Sequence, residues 1–333
     1  MKRDNMNKGR LFVIGVIILV FLVINSFTGI VEFVTNYLWF KEMGYTETFF
    51  TKIKAQIMIG VPIFLILTVF LYIFIKRMKK KYDDESEIVS VNKKTGLIIK
   101  LISAGVSLFI SLNITSTMWF QILQYFNSMD FGAADPVFNN DVSFYAFKLP
   151  LINTIVGSII SILFLLTIVI VLFNGYLAMK ESIKKLNEEF QDIQQFPRQH
   201  LNLNNILNKK FAERIINQLS IIGVFLFLLL GARYVLRSYD LLYSRLGRVF
   251  GAGYTDINIT LNLYRVLAVG CVVAAVTFFT GARKRNLKTA LAVPAALIII
   301  SIIGTGAAGG VEKFVVEPDQ LSKETLYMQY SIK

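Results

Sequence analysis

The side chains that most often carry chemistry are scarce in this sequence. Cys271 is the only cysteine and His200 the only histidine among 333 residues. No intrachain disulfide can form, and neither a cysteine zinc site nor a multi-histidine zinc site can be built. Cys271 stands among Val and Ala in an apolar run, where we expect a small packing residue. The sequence therefore predicts no catalytic residue, no metal site and no cofactor.

Oxygen ligands are grouped in one segment, where Asp135 and Asp141 enclose Asn139 and Asn140. Carboxylate and amide oxygens are the ligands that Ca²⁺ takes in proteins, so this segment is a candidate calcium site. Its spacing matches the calcium-loop pattern poorly. We favour a pair of Asx turns beside a short strand or turn.

Three charged residues stand near the ends of apolar runs: Glu32, Arg233 and Arg265. We favour an ion pair between Glu32 and one of the arginines, which would hold the helices in register. The alternative is an outward-facing basic pocket in which Arg233 and Arg265 contact an anionic solute or a lipid headgroup.

Gly251 and Gly253 precede Asp256 in a pattern that partly matches a dinucleotide-binding loop. Such a loop needs a buried strand before it and a soluble helix after it, and neither is predicted here. We therefore expect tight turns that let a loop fold back.

These residues must be positioned by seven apolar runs, each near the roughly 20 residues that a membrane-spanning helix needs. The mean hydropathy of +0.58 and the 55% hydrophobic content agree with such spans. The sequence predicts an all-α polytopic membrane protein with seven transmembrane helices. The runs are Leu11 to Ile30, Ala55 to Ile75, Leu97 to Thr117, Leu151 to Tyr176, Ile215 to Val235, Leu261 to Gly281 and Ala290 to Gly310. The first run is too long for a signal peptide and lacks a cleavage site, which favours a retained anchor.

The net charge of +13 is distributed unevenly. The N-terminus and alternate connections carry 22 of the 35 basic residues, and the opposite connections with the tail carry nine. By the positive-inside rule the N-terminus is cytoplasmic and the C-terminus extracytoplasmic. Because no single soluble face collects the charge, we predict no nucleic-acid partner.

The connections suggest three further regions around a membrane domain of residues 1–310. Amphipathic helices, broken at Pro197, are predicted over about 178–212, either lying at the inner interface or docking a cytoplasmic partner. An aromatic cap is predicted over about 119–150 on the outer side. The tail 311–333 changes to charged and β-forming residues, which favours the start of an extracytoplasmic region.

Small and polar residues indicate where helices pack. Gly304 pairs with Ala308, and Gly306 with Gly310, in patterns typical of close helix contact. Their expected partners are small residues in the third run, Ser103, Ala104, Gly105 and Ser107, or in the sixth, Gly270, Ala274 and Ala275. Asn113 and Asn153 are expected to hydrogen-bond between helices.

Four stretches of the sequence resemble the uncharacterised protein family 0182 of bacterial integral membrane proteins: Trp39 to Phe50, Asp135 to Pro150, Gly251 to Asp256, and Val311 to Tyr327. They occur in order and on the predicted outer side. The resemblance implies a seven-span N-terminal domain that precedes a much larger extracytoplasmic domain. The chain would then be a membrane-domain fragment or a short member, in a bacterial cell membrane. The family has no established activity to carry over.

We favour a non-enzymatic membrane anchor or scaffold for an extracytoplasmic domain or an envelope assembly. The uncharged centres of the runs and the motif-rich outer face support this hypothesis. The alternative is a transporter or channel subunit for a lipid-like or apolar substrate, with the two arginines near a headgroup. A membrane-embedded enzyme ranks third.

Overall fold

The computed structural model describes residues 27–86, 93–192, 209–244, 251–284 and 286–332. Within these residues the chain is helical, apart from short turns and the loop 127–141, in which Ala134 and Asp141 form one isolated β-bridge. This confirms the all-α prediction.

Eight α-helices are described, some of them entered or left through a short π or 3₁₀ turn. The helices are α1 (27–42), α2 (Thr46–Ser86), α3 (Lys93–Phe126), α4 (Leu149–Asp192), α5 (Lys209–Asp240), α6 (Leu261–Arg283), α7 (Leu287–Val311) and α8 (Gln320–Ile332). The π turns are Phe144–Lys148, Asp256–Thr260 and Glu312–Val316, and the 3₁₀ turns are Leu241–Tyr243 and Glu317–Asp319.

Six helical stretches are long and apolar enough to cross a membrane: Thr46–Met78, Ile99–Phe126, Phe144–Leu172, Gln218–Tyr243, Asp256–Arg283 and Lys288–Tyr327. Each overlaps one of the last six predicted runs. The first predicted run lies mostly outside the described residues, so the seventh span stays a prediction. The six stretches leave apolar side chains such as Phe109 and Ile302 exposed, as a surface that faces lipid would.

The chain divides into two compact units, residues 1–123 and 124–333. In the first unit, α1 ends in a Schellman motif. Gly44 has φ +76°, and the N–H groups of Tyr45 and Gly44 donate to the carbonyls of Phe40 and Lys41. This turn brings Phe49 of α2 against the ring of Phe33 at 5.4 Å. The stretch Trp39 to Phe50 is thus an aromatic corner between two helices.

The third helix buries a row of hydroxyl groups at four-residue spacing: Ser103, Ser107, Ser111 and Thr115. Within the first unit, Gly60 of α2 lies against Thr115, and an added Cβ there would come within 3.0 Å of the Thr115 hydroxyl. Among the described residues, Asn113 does not form the interhelical hydrogen bond that the sequence predicted. Its amide donates to the Phe109 carbonyl of its own helix, because one turn back along the helix is the nearest acceptor.

The second unit is built on α5, α6 and α7, packed in antiparallel order through glycines. A Cβ at Gly231 of α5 would meet the Ala268 carbonyl at 3.2 Å, and one at Gly281 of α6 would meet the Ala290 backbone at 2.6 Å. Cys271 is buried in this contact, which confirms it as a packing residue. The Asn286 side chain accepts a hydrogen bond from the Lys288 N–H and caps α7.

Only one of the two predicted small-residue pairs of α7 makes a close contact with another described helix. Gly304 packs against Leu263 of α6, and Gly270 of α6 packs against Leu297, as the close contact between the sixth and seventh runs requires. By contrast, an added Cβ at Gly306 or Gly310 would meet nothing within 4 Å. That pair makes no close contact among the described residues.

The connection regions differ from the sequence prediction in their secondary structure. α4 continues without a break to Asp192, so the first amphipathic segment is an extension of a spanning helix. Pro197 and residues 193–208 lie outside the described residues. The tail, rich in β-forming residues, is helical through a π turn, a 3₁₀ turn beginning at Glu317 and Pro318, and α8. Its contacts with residues 254–258, before α6, override its strand propensity.

Candidate functional site

Arg233 and Arg265, which the sequence suggested as contacts for an anion or a lipid headgroup, have different surroundings. A guanidinium nitrogen of Arg233 donates to the Asn153 carbonyl at 3.1 Å and joins α5 to α4. Arg265 is exposed on α6. Glu32 belongs to the N-terminal unit and both arginines to the C-terminal unit, so the ion pair stays a prediction, as does the anion or headgroup contact.

Asn153 forms the interhelical hydrogen bond that the sequence predicts, since its amide donates to Asp240 of α5 at 3.2 Å. A second polar contact joins the same two helices where Asn174 donates to Gln218 at 2.8 Å. Asn153 and Asn174 are separated by roughly 30 Å along α4 at ~1.5 Å per residue. This matches the thickness of a bilayer's hydrocarbon core, so the two contacts lie where its boundaries are expected.

The outer cap is a folded loop whose centre is the buried carboxylate of Asp135. One oxygen accepts the N–H groups of Val137 and Phe138, and the other accepts the Asn140 N–H and the Tyr145 hydroxyl. Burial raises the pKa of this carboxyl, but the hydrogen bonds from Phe138, Tyr145, Asn140 and Val137 together lower it below its ordinary value.

Asp141 organises the other half of the cap. Its carboxylate accepts hydrogen bonds from the N–H groups of Phe131, Gly132 and Ser143. The hydrogen bonds from the Ser143 side chain and backbone, followed by that from Phe131, lower the pKa of Asp141 to about 2. Asp135 and Asp141 each accept the N–H group two residues further along the chain, which confirms the Asx-turn interpretation.

Aromatic rings fix the cap to the helix ends beneath it. The Tyr239 ring of α5 lies 4.8 Å from the Phe138 ring and 5.6 Å from the Phe144 ring, centroid to centroid. Tyr145, Leu149 and Leu236 form the buried cluster below. In residues 128–143 the predicted cap is thus a packed structure over α4 and α5.

A second outer structure, which we call the joint, binds the loop before α6 to the tail. It comprises residues 253–258 together with Glu312, Lys323, Glu324 and Tyr327. The Thr255 hydroxyl donates to the Glu312 carboxylate at 2.5 Å, and the Tyr254 N–H donates to the Glu324 carboxylate at 3.0 Å. Two carboxylates of the tail therefore accept from two consecutive residues of the loop.

The remaining contacts of the joint are made by side chains of α8. The Asn258 amide donates to the Tyr327 hydroxyl at 3.0 Å, and the Lys323 ammonium lies 5.6 Å from the centroid of the Tyr254 ring. Gly253 has no room for a side chain, since a Cβ would lie 3.0 Å from a Glu324 oxygen. Glu324 is 6% exposed, and its buried carboxylate accepts the Tyr254 backbone N–H.

Asp256 is the most buried carboxylate of the joint, at 1% exposure. One oxygen faces the Gly253 N–H at 3.4 Å, and the other has no hydrogen-bond partner among the described residues. No group of three His, Cys, Asp or Glu side chains within that part of the chain could hold a metal ion. The arrangement binds segments to each other rather than displaying ligands for a metal.

An open groove of about 320 Å³ lies between α5 and α6. Only apolar side chains line it: Ile221, Val224, Phe225 and Leu228 of α5, with Val272, Ala275, Val276 and Phe279 of α6. Neither Arg233 nor Arg265 lines it, so this groove and the outer arginines are separate features.

The joint was missed by sequence analysis, which treated the Gly251–Asp256 turn and the tail as unrelated. The turn itself was predicted correctly, since Gly251 has φ +136° and its N–H donates to the Ser244 carbonyl at 3.0 Å. The sequence did contain one signal of the joint. Glu312 and Glu324 follow an apolar run, and a glutamate carboxylate that is buried there needs hydrogen-bond donors from another segment.

Comparisons with known proteins give a consistent result. The model of the Uncharacterised protein family (UPF0182) matches residues 12–333. A UPF0182 protein of Alkaliphilus metalliredigens is 34% identical over 308 residues, which cover 91% of this chain and 32% of that protein. One of Clostridium perfringens is 32% identical over 332 residues, covering 95% and 33% respectively. The chain spans about a third of the length of these curated relatives. No solved structure matches it.

Proposed function

The chain belongs to the Uncharacterised protein family (UPF0182), and on that premise we propose that it is a non-enzymatic membrane domain that anchors and orients an extracytoplasmic domain or envelope assembly. Six helices apolar enough to cross a membrane support the anchoring part. The orienting part is supported by the joint, which is the observation that carries the proposal.

The joint supports an orienting role because it holds the tail at several points. Glu312 and Glu324 bind neighbouring residues of one loop, and Tyr327 binds Asn258 one turn further on. A tail held at a single point could rotate about it, whereas three separated contacts define a direction. Any domain carried on this tail would inherit that direction.

The proposed location is a bacterial cell membrane, crossed several times, with a cytoplasmic N-terminus and an extracytoplasmic tail. The excess of basic residues in alternate connections supports this orientation. The lipid bilayer is then the first partner, and an extracytoplasmic domain or envelope protein the second. The basic amphipathic regions near residues 178–212 suit a cytoplasmic partner.

A non-enzymatic role is supported by how the polar groups are used. The carboxylates of Asp135, Asp141 and Glu324 accept backbone N–H groups. Arg233 donates to a main-chain carbonyl. These side chains stabilise the structure through bonds that a catalytic group would need to keep available.

The distance between the tail and the helix bundle tests the proposal. In a Cys271→Ala background, spin labels at Gln329 and Thr305 report this distance in nanodiscs by double electron–electron resonance. We expect a narrow distance distribution that broadens when Glu312→Ala and Glu324→Ala are combined. Glu317→Ala, an exposed acidic position in the same tail, is the matched control. A broad distribution of the distance between the two labels, in the chain with Glu312 and Glu324 unchanged, would contradict the orienting role.

The α5/α6 groove favours one alternative, a transporter or channel subunit for a lipid-like or apolar substrate. Its apolar lining suits an acyl chain. Val272→Trp fills the groove, and Val269→Trp places the same ring on an exposed face outside it. Loss of a co-purified lipid, measured by native mass spectrometry, in the first variant alone would support the alternative. Equal lipid retention in both variants would favour the proposed anchor function over the transporter alternative.

A further inference from the structure

The exposed side of the tail differs from that of an ordinary soluble helix. α8 and the preceding turns direct Glu324, Lys323 and Tyr327 toward the joint. On the opposite surface, Phe314 is 75% exposed, Leu321 82% and Leu326 53%. The Lys313 ammonium lies 6.0 Å from the centroid of the Phe314 ring. Leu321 and Leu326 keep more than half of their surface exposed, while three neighbouring side chains of α8 bind the joint.

The length of α7 shows where this surface begins. Its 25 residues from Leu287 to Val311 extend roughly 38 Å at ~1.5 Å per residue. The hydrocarbon core is about 30 Å thick, and the headgroup layers add several ångströms on each side. A helix that crosses the membrane once has therefore reached the headgroup layer when the π turn Glu312–Val316 starts.

The contacts of the joint then give the direction of the tail. Glu324 binds Tyr254, and Tyr327, which follows it by one turn, binds Asn258, which follows Tyr254 by one turn. α8 therefore runs beside residues 254–258, which precede α6, in the same chain direction as those residues. Glu312 binds Thr255 at the same level. The segment from Glu312 to Tyr327 stays beside residues 254–258 and does not lead away from the membrane.

We infer that residues 312–332 form an interfacial segment whose apolar side chains Phe314, Leu321 and Leu326 bind the headgroup–acyl boundary of the outer leaflet. This inference rests on the proposed membrane function, since it needs the bilayer at the outer end of α7. The occupant is lipid because the segment follows directly on α7, which is apolar enough to cross a membrane and exposes Ile302 and Ile303. The exposed Lys313 adds a charge suited to phosphate headgroups.

Such a segment holds the tail in two ways. The joint binds its polar side to the protein, and the bilayer binds its apolar side. The membrane surface then constrains, together with the joint, the orientation of any domain that follows the tail. The region that the sequence suggested as the start of a soluble domain is, in this inference, still part of the membrane-bound structure.

Electron paramagnetic resonance of the 333-residue chain in nanodiscs tests the inference. In a Cys271→Ala background, single nitroxide labels replace Leu321 and Leu326. Ile302 is the reference for lipid and Glu317 the reference for water. Collision rates with oxygen, which partitions into lipid, and with a water-soluble nickel chelate are compared at each position.

We expect labels at Leu321 and Leu326 to prefer oxygen over nickel, with ratios between those of Ile302 and Glu317. Ratios equal to that of Glu317 would place the segment in water and overturn the inference. Protection from both reagents would mean that protein covers the surface, and would also overturn it. A water-like signal at Ile302 would instead contradict the membrane setting, so failure of the proposed function is distinguishable.

Discussion

The Thr255 hydroxyl donates a 2.5 Å hydrogen bond to the Glu312 carboxylate, which joins the turn before α6 to the end of α7. Both residues lie at ends of helices that are packed against each other, so the bond closes a helix pair at its outer end. The opposite end is closed by the contact between Gly281 and Ala290. The α6–α7 pair is thus fixed at both ends, and the tail continues from the end that Thr255 holds.

The buried glutamate of the joint should be replaceable only by another acceptor. Glu324→Ala leaves the Tyr254 N–H unpaired and should cost about 1–3 kcal/mol, while Glu324→Gln retains an acceptor and should cost less. Thermal unfolding in detergent, together with the rate of tryptic cleavage after Lys323, measures both effects. Glu317→Ala is the control, and an equal loss in the Gln and Ala variants would contradict the hydrogen-bond explanation.

Two helix glycines should respond oppositely to alanine. Gly281→Ala places a Cβ 2.6 Å from the Ala290 nitrogen, and because backbone must move, we expect a loss of roughly 2 kcal/mol or more. Gly306→Ala meets nothing within 4 Å, and higher helix propensity should make it neutral or stabilising by up to ~1 kcal/mol. The melting temperatures of the two variants measure these changes in stability. Strong destabilisation by Gly306→Ala would show that another helix uses that face.

The outer cap should loosen in strong acid. The folded-state pKa of Asp141 is lowered from 3.8 to about 2, so its contribution to stability is fully present above the unfolded pKa. It is lost as the pH falls from 3.8 toward about 2. Hydrogen exchange of residues 131–143 across this range measures the effect. Asp141→Asn should reduce the pH dependence in this range and leave the part that Asp135, whose pKa is also lowered, contributes. Asp319→Asn, at an exposed position in the tail, should leave it unchanged.

The polar contact between Asn174 and Gln218 should stabilise α4 against α5 only modestly. A double-mutant cycle with Asn174→Ala and Gln218→Ala should give a coupling energy near 0.6 kcal/mol and below about 2 kcal/mol. The coupling energy is small because, when the two helices are separated in the membrane, their polar side chains also find hydrogen-bond partners. The matched pair Thr167→Ala and Gln218→Ala should show no coupling, because the Thr167 hydroxyl donates to the Leu163 carbonyl of its own helix. Zero coupling in the first cycle would contradict an interhelical bond.

Opposite ends of α7 should be reached from opposite sides of the membrane. With Cys271 replaced by Ala, we expect a cysteine at Lys284 to react with an impermeant maleimide only in inside-out vesicles. One at Ser322 should react only in right-side-out vesicles. The unmodified chain should react slowly in both, because Cys271 is buried. Labelling of both positions from one side would contradict a single crossing by α7.

The helices themselves could be predicted from sequence because a spanning segment is a local property. A run of about 20 apolar residues must satisfy its backbone hydrogen bonds internally, so length and composition determine a helix. The Asx turns at Asp135 and Asp141 are equally local, since each carboxylate bonds N–H groups close by in sequence. Gly304 and Asn153 were also placed correctly as helix contacts.

The errors concern contacts between segments that are distant in sequence, whether predicted wrongly or missed. Asn113 was expected to bridge helices and bonds its own helix instead, because an apolar run does not say which face meets a neighbour. The joint was missed because Tyr254 and Glu324 are 70 positions apart. Strand propensity in the tail gave no indication that its glutamates would bind a loop and hold it helical.

The sequence by itself determined a helical chain whose apolar runs are long enough to cross a membrane, together with the Asx turns of an aromatic cap. These follow from composition and spacing, which act over one or two turns. Only the tertiary structure decided that the tail folds back onto the start of α6, that Arg233 is bound to α4, and that Gly306 stays uncovered. Such pairings depend on how helices are arranged in space, and the energy of each contact is realised only when both segments are brought together.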